Sequence, residues 1–255
     1  VQAVSAAMSG WFFFRQRRRP YRIRLNDLRL HGPTVAALFG VGAPSFLAGT
    51  GTTLLAVLVN NSLAHAGGAA ALAAYAVCAR VQTFVMMPQL GISQGLQPIV
   101  GFNAGRRLDD RVRRTRVLAL RATLIYGCVV AAAVVLLAGP LVGMFLGDSP
   151  ARTAATQALR VIAIGLVFAG VAPLVSAYFQ ALGRPTPSYL ISIGTLLAVK
   201  VPVVLLLSRL GTMGVWAGLA AGEVLSALAA LIILRRRQPR AAVGSSAGHK
   251  ARLAP

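Results

Sequence analysis

Long apolar runs dominate this sequence, and their length constrains the fold more than any other feature. Six of them are long enough to cross a hydrocarbon core of about 30 Å as an α-helix that rises about 1.5 Å per residue. The predicted spans are residues 35–59, 70–100, 117–145, 153–179, 189–207 and 214–234. A further apolar stretch, residues 1–14, is too short to cross, and we interpret it as the end of a preceding transmembrane helix whose beginning is missing, which makes the chain a fragment.

Basic residues are concentrated in alternate loops. Seven arginines lie between Arg15 and Arg29, six lie in residues 103–116, and six lysines and arginines lie in residues 235–255. The net charge of +21 alone would suggest a nucleic-acid partner. Basic clusters that flank apolar spans instead mark the cytoplasmic side of a membrane. We therefore predict a multi-pass protein of the inner (plasma) membrane, with both ends cytoplasmic and no nucleic-acid partner.

The domain organisation follows from this alternation. We expect a basic cytoplasmic connector over residues 15–34, a lobe of six transmembrane helices over residues 35–234, and a basic, disordered cytoplasmic tail over residues 235–255. Asp109 or Asp110 is placed to cap the helix that begins there. The two cysteines, Cys78 and Cys128, fall within apolar runs and are interpreted as small buried hydrophobic residues.

The residue types needed for catalysis are sparse. The chain is 56% hydrophobic and 12% charged, which is typical of an integral membrane protein. The sequence contains no phosphate-binding GxxxxGK[ST] loop, no HExxH motif and no Cys and His pattern at metal-ligand spacing. We therefore predict that the protein is not an enzyme and uses no cofactor or metal. Any transport would have to draw on an ion gradient or a partner.

The second predicted span is too polar for a lipid-facing helix. The stretch CARVQTFVMMPQLGISQGLQPIVGFNAGRRLD contains four glutamines and is interrupted by Pro88, so its backbone needs partners in protein or water. On an ideal helix Gln82, Met86, Gln89 and Gln97 fall on one side, whereas Arg80 and Gln94 fall near the other. These side chains either line a translocation cavity or hold neighbouring helices together. The candidate cavity residues are Arg80, Gln82, Met86, Gln89, Gln94, Gln97 and Asn60.

Two charges lie deep in predicted spans. Glu223 is the only carboxylate in any full span, and Lys200 lies near Pro202 in the fifth. A charge at such depth is costly unless it is paired or wet. Glu223 and Lys200 are therefore candidates for ion coupling or for a buried ion pair, in which Arg80 or Lys200 would be the partner of Glu223. Arg121 and Arg160 lie near helix ends and are interpreted as interfacial anchors.

Four segments resemble one transporter family. They are GAPSFLAGTGTTLLAVLVNNSL, ARVQTFVMMPQLGISQGLQPIVGFNAGRR, SAYFQALGRPTPS and GTMGVWAGLAAGEVLSALAAL. Together they resemble the second half of a bacterial multidrug and toxic compound extrusion (MATE) transporter. The resemblance implies half of a twelve-helix fold of two six-helix lobes, in which residues 1–14 correspond to the end of helix six. It also implies export of drugs or toxic organic cations by alternating access against H⁺ or Na⁺, within the lipid bilayer and together with the missing N-terminal lobe.

The resemblance has one departure. Family members with acidic cation ligands in this lobe carry them in helices seven and ten, and the matching residues 35–59 and 153–179 contain no carboxylate. Coupling by that route is therefore not expected here. Two alternatives to drug export stay open, a lipid-linked precursor flippase of the same superfamily and a structural membrane remnant that does not transport.

Overall fold

The computed structural model describes residues 2–15, 31–147 and 150–237, and every regular element in these ranges is helical. The predicted all-α fold is therefore confirmed. The chain divides into two compact units, Val1–Phe39 and Gly40–Pro255. The first contains α1 (Gln2–Arg15), which agrees with the helix predicted over residues 1–14. Most of the basic connector and the tail from residue 238 onward lie outside the described residues.

The next helix, α2 (Gly32–Gly105), is interrupted at Gly68, where φ is 58° and ψ is −148°. We call residues 32–67 α2N and residues 69–105 α2C. Glycine adopts this positive φ at no steric cost, which explains why the helix breaks there. The prediction that the first span ends at Asn60 is wrong, because helical structure continues almost to Gly68.

Helix α3 (Asp109–Gly143) begins at the predicted aspartates, inside the arginine-rich segment and before the predicted span at residue 117. Neither aspartate is its cap, since Leu108 occupies the N-cap position and no side chain caps the helix. Both carboxylates instead lie in the first turn, where negative charge favours the positive end of the helix dipole. The predicted cap is therefore wrong, and the predicted start of the helix is right.

The fourth predicted span is two helices, α4 (Pro150–Ala169) and α5 (Val171–Ala181). The bend between them lies at Gly170. It is explained by Pro173, which has no N–H to donate to the carbonyl of Ala169. Residues Ala151–Ala181 still form one apolar stretch of 31 residues, so the prediction of a single membrane crossing is kept.

The fifth predicted span begins earlier than expected and is not regular. It comprises α6 (Pro185–Tyr189), two π-helical segments (Leu190–Gly194 and Leu196–Lys200) and α7 (Val201–Ser208). The backbone N–H of Val201 donates to the carbonyl of Leu196, five residues earlier, as a π-helix requires. The last helix, α8 (Thr212–Arg236), is regular throughout.

Five helical stretches in the described ranges are long and apolar enough to cross a membrane. They are Gly42–Gly105, Asp109–Gly143, Ala151–Ala181, Pro185–Ser208 and Thr212–Arg236. The first has 64 residues, and the break at Gly68 divides it into two segments that each exceed about 30 Å at about 1.5 Å per residue. The six predicted crossings agree with this division.

Within residues 40–237 the core consists of two apolar clusters. One surrounds Leu63, Leu159 and Trp216, and the other surrounds Val100 and Phe179. Helix α4 packs against both α3 and α8. Glycine permits the second of these contacts, because a Cβ at Gly165 would lie 2.9 Å from the Cα of Ala220. Of the two cysteines, Cys78 is buried as predicted, whereas Cys128 is exposed.

Candidate functional site

A cavity of about 370 Å³ lies inside the second unit, between α2, α5 and the π-helical stretch that ends at Lys200. Its polar lining residues are Ser45, Thr52, Ser93, Gln94, Gln97, Ser176, Gln180, Ser192, Thr195 and Lys200. Its apolar lining residues are Ala48, Leu90, Ala172, Pro173, Ala177, Ile191 and Leu196. Among the described residues, no carboxylate lines this cavity. The volume lies within the range of roughly 300–1,000 Å³ that is usual for small-molecule sites.

One wall of the cavity is a hydrogen-bonded group of serines around Gln180. The Ser176 hydroxyl lies 2.6 Å from the Ser188 hydroxyl and 3.1 Å from the Ser192 hydroxyl. The Gln180 Nε2 donates to Ser188 at 3.0 Å and to Ser176 at 3.3 Å, and its Oε1 accepts from Ser45 at 3.1 Å. This network connects α2N and α5 to α6 and to the π-helical segment that follows it. Hydrogen bonds among buried polar groups hold such a wall in one arrangement.

The two deep charges predicted from the sequence form an ion pair. The Lys200 Nζ lies 2.6 Å from the Glu223 Oε1, and the two side chains are 20% and 28% exposed. Glu223 thus pairs with Lys200, one of the two predicted partners, and Arg80 is not its partner. Lys200 lines the cavity, whereas Glu223 does not.

Two of the predicted glutamines lie at the cavity, on its α2C wall. Gln94 and Gln97 line it together with Leu90 and Ser93, which gives the spacing of one helical face. The prediction that Gln94 and Gln97 face opposite sides is therefore wrong. They are separated by only about 60° around the helix, and the cavity is wide enough to reach both. Neither amide hydrogen-bonds to any group in the described part of the chain.

Gln89 has a different environment. It is 3% exposed, does not line the cavity, and donates from Nε2 to the Thr123 carbonyl of α3 at 3.1 Å. Its amide packs directly on Gly170, where a Cβ would overlap the Gln89 Oε1. This is the geometry of the second alternative, in which a glutamine connects neighbouring helices.

The remaining candidates lie outside the cavity lining. Arg80 and Asn60 are exposed, and Gln82 and Met86 are partly buried. Their predicted role in a substrate cavity stays a prediction. Arg121 and Arg160 are also exposed. Within the ranges that the structure describes, no three His, Cys, Asp or Glu side chains are close enough together to hold a metal ion.

Sequence reasoning missed the serine wall. The sequence does contain a signal, which is two pairs of polar residues four positions apart in apolar spans. The pairs are Ser176 with Gln180 and Ser188 with Ser192. In each pair the two side chains share one helix face. Their convergence on one cavity depends on how α5 packs against the following span, which the sequence pattern of either span alone does not show.

Comparisons with known proteins agree with the fold. The multidrug export protein MepA of Staphylococcus aureus (strain NCTC 8325 / PS 47) is 25% identical over 253 residues, covering 96% of this chain and 54% of MepA. The MepA of Staphylococcus haemolyticus (strain JCSC1435) is 28% identical over 243 residues, which cover 92% of this chain and 52% of that MepA. The chain thus spans about half the length of the curated relatives it matches.

A solved structure has the same fold. It is the outward-facing conformation of a multidrug resistance MATE family transporter of the MOP superfamily, with a TM-score of 0.84 at 22% identity. The match covers 92% of this chain and 53% of that one. The family model MatE matches residues 44–206, which include all of the cavity-lining residues. Since this match extends over more than half of its residues, the chain belongs to the MatE family, the multidrug and toxic compound extrusion transporters.

Proposed function

We propose that this chain is the C-terminal lobe of an ion-coupled efflux antiporter that exports cationic or amphipathic compounds by alternating access. The observation that supports this most directly is the cavity in the family-matched region, which combines an apolar lining with ten polar side chains. Sites for drug-sized ligands commonly combine an apolar wall with a few polar groups that orient the ligand. The relatives named as multidrug export proteins support the same proposal.

The cavity wall on α2C is suited to ligands of varied shape. The Gln94 and Gln97 amides each carry two donors and an acceptor, so they can hydrogen-bond to ligands of either kind. The small lining residues Ala172 and Ala177 leave room for an aromatic or alkyl body. Such a site discriminates weakly among amphipathic compounds, which fits a multidrug function.

The proposed coupling ion is H⁺ or Na⁺. Within the described helices, Glu223 is the carboxylate that lies in the interior of an apolar span, and its ion pair with Lys200 connects it to the cavity wall. Protonation of Glu223 would release Lys200, which makes this pair our candidate for coupling. We further propose that Arg80, Gln82, Met86 and Asn60 belong to the surface that the N-terminal lobe covers, inside the lipid bilayer.

The test is export by the natural full-length protein in proteoliposomes. An imposed H⁺ or Na⁺ gradient should drive transport of a fluorescent amphipathic cation such as ethidium. Replacing both Gln94 and Gln97 with leucine should slow this transport while the amount of folded protein in the membrane is unchanged. Arg160→Gln, an exposed cation on α4, is the control and should transport normally. If neither gradient moves ethidium or any other amphipathic probe, the efflux proposal fails in favour of a structural membrane module.

A further inference from the structure

We propose that the cavity binds small amphipathic acids and zwitterions, with the Lys200 ammonium as the counter-charge for the carboxylate and the Gln94 and Gln97 amides elsewhere in the same lining. The inference rests on the proposed function only in placing this cavity on the export route. It refines the substrate class, because a cation in the cavity wall favours ligands that carry an anionic group.

The charge on the cavity wall has one sign. Lys200 is the single charged residue among the lining residues, and its partner Glu223 contributes nothing to the lining. The pair is neutral as a whole, but of its two members only Lys200 lines the cavity. By Coulomb's law this arrangement favours an anionic group over a cationic one near Lys200. A ligand carboxylate can share the ammonium with Glu223, so the ion pair need not break.

The unused hydrogen-bonding capacity also matches a carboxylate. An ammonium has three N–H donors, and in the described structure one of them is used, by Glu223. The Gln94 and Gln97 amides and the buried Ser93 hydroxyl have no partner within the described ranges. By contrast, the hydroxyls of Ser192 and Thr195 already bond to Ser176 and to the Ile191 carbonyl. The free donors in the lining are therefore on Lys200 and α2C, so Lys200 can bind a carboxylate while the α2C amides bind other acceptors of the ligand.

The rest of the cavity calls for an apolar body on the ligand. Seven lining residues are apolar, among them Leu90, Ile191 and Leu196, and the volume of about 370 Å³ suits a compound with one or two rings. The π-helical turn that ends at Lys200 adds support, because such turns are frequent at functional sites in helical proteins. A small aromatic acid fits these features better than a long-chain lipid does.

The test measures binding with three probes that share one fluorophore. Dansylglycine carries a carboxylate, dansylglycinamide is neutral, and dansylcadaverine carries an amine. We expect the natural full-length protein in lipid nanodiscs to bind dansylglycine about tenfold more tightly than dansylglycinamide, since charge-assisted hydrogen bonds are the stronger ones. Lys200→Gln should abolish this preference. The control Arg160→Gln also removes a cation from an apolar helix, but outside the cavity, and should keep it.

A charge exchange separates a ligand site from a merely structural ion pair. The double variant Lys200→Glu with Glu223→Lys keeps an ion pair but places the carboxylate in the cavity wall. We expect it to lose the preference for dansylglycine and to bind dansylcadaverine about tenfold more tightly than wild type does. If this variant does not fold, as judged by size-exclusion chromatography, Lys200→Gln with Glu223→Gln decides instead, and loss of the dansylglycine preference is again expected.

The proposal is overturned if the wild type binds all three probes equally, or if the preference for dansylglycine survives the loss of Lys200 or the charge exchange. The proposed function can fail separately. Tight dansylglycine binding without gradient-driven movement of any probe would contradict export and leave the site intact. Gradient-driven ethidium export with equal binding of the three dansyl probes would contradict the site and leave export intact.

Discussion

Two faces of α2C carry the same residue type in different surroundings. Gln89 is buried against α3 and Gly170, and its amide donates to the Thr123 carbonyl. Gln94 and Gln97, five and eight residues later, line a cavity and have no hydrogen-bond partner among the described residues. The neighbouring chain makes the difference. At Gln89 a glycine allows close approach and excludes water, whereas at the other two glutamines the opposing chain stays farther away. A glutamine in an apolar helix therefore indicates a polar neighbour but does not identify it.

The largest expected effect is a steric one on the buried face. Gly170→Val should lower the free energy of unfolding by about 1–3 kcal/mol or more, because even a Cβ at this position overlaps the Gln89 amide. Thermal unfolding in nanodiscs measures the loss. Adding Gln89→Ala should restore part of the stability by making room for the valine. The control is Gly95→Val on the cavity-bearing helix, where no atom lies within 4 Å of an added Cβ. Equal losses for the two glycine variants would contradict a special contact at Gly170.

Ser176→Ala tests whether the cavity face has a structured wall of its own. The Ser176 hydroxyl is buried and bonds to Ser188, Ser192 and Gln180, so its removal leaves those groups short of a partner. A cost of about 1–2 kcal/mol in unfolding free energy is expected. Ser45→Ala removes a single bond at an exposed position and should cost less than about 0.5 kcal/mol. If the serine wall contributes nothing to stability, Ser176→Ala and Ser45→Ala will lower the unfolding free energy by the same small amount.

The same dependence on neighbouring helices decides which features of the fold and the cavity can be predicted from the sequence. Apolar length and arginine alternation were sufficient for the helical spans, because crossing a bilayer constrains each span independently. The pairing of Glu223 with a cation was predictable because an isolated buried charge is so costly. The serine wall of the cavity was not predictable, since Ser176 and Ser192 belong to different spans and meet only through tertiary packing. The break at Gly68 lies in the loop predicted between the first two spans, but the residue itself was not identified, because one glycine among several gives no local signal of its positive φ.

Gln89→Leu should have a smaller effect on stability than the two preceding changes. It removes one interhelical hydrogen bond, which in membrane proteins contributes about 0.6 kcal/mol on average. Leucine also removes the buried Oε1, which has no partner in the described structure, and this gain offsets part of the loss. Chemical denaturation in mixed micelles would measure the difference. Because Gln89 does not line the cavity, dansylglycine affinity should stay within about twofold of wild type, and a larger change would place Gln89 in the binding site.

Of the two glutamine variants, Gln94→Leu has the smaller expected effect on stability and the larger expected effect on ligand binding. The Gln94 amide is exposed to the cavity and bonds to no described group, so its loss should change the unfolding free energy by less than about 0.5 kcal/mol. A leucine there presents an apolar surface in place of two N–H donors, and binding of dansylglycine should weaken several-fold. Gln89→Leu is the matched control, since it makes the same chemical change on the other face. The contrast between the faces requires opposite outcomes, with lost stability for Gln89→Leu and lost affinity for Gln94→Leu. If both variants changed the same property, the two glutamines would share one role.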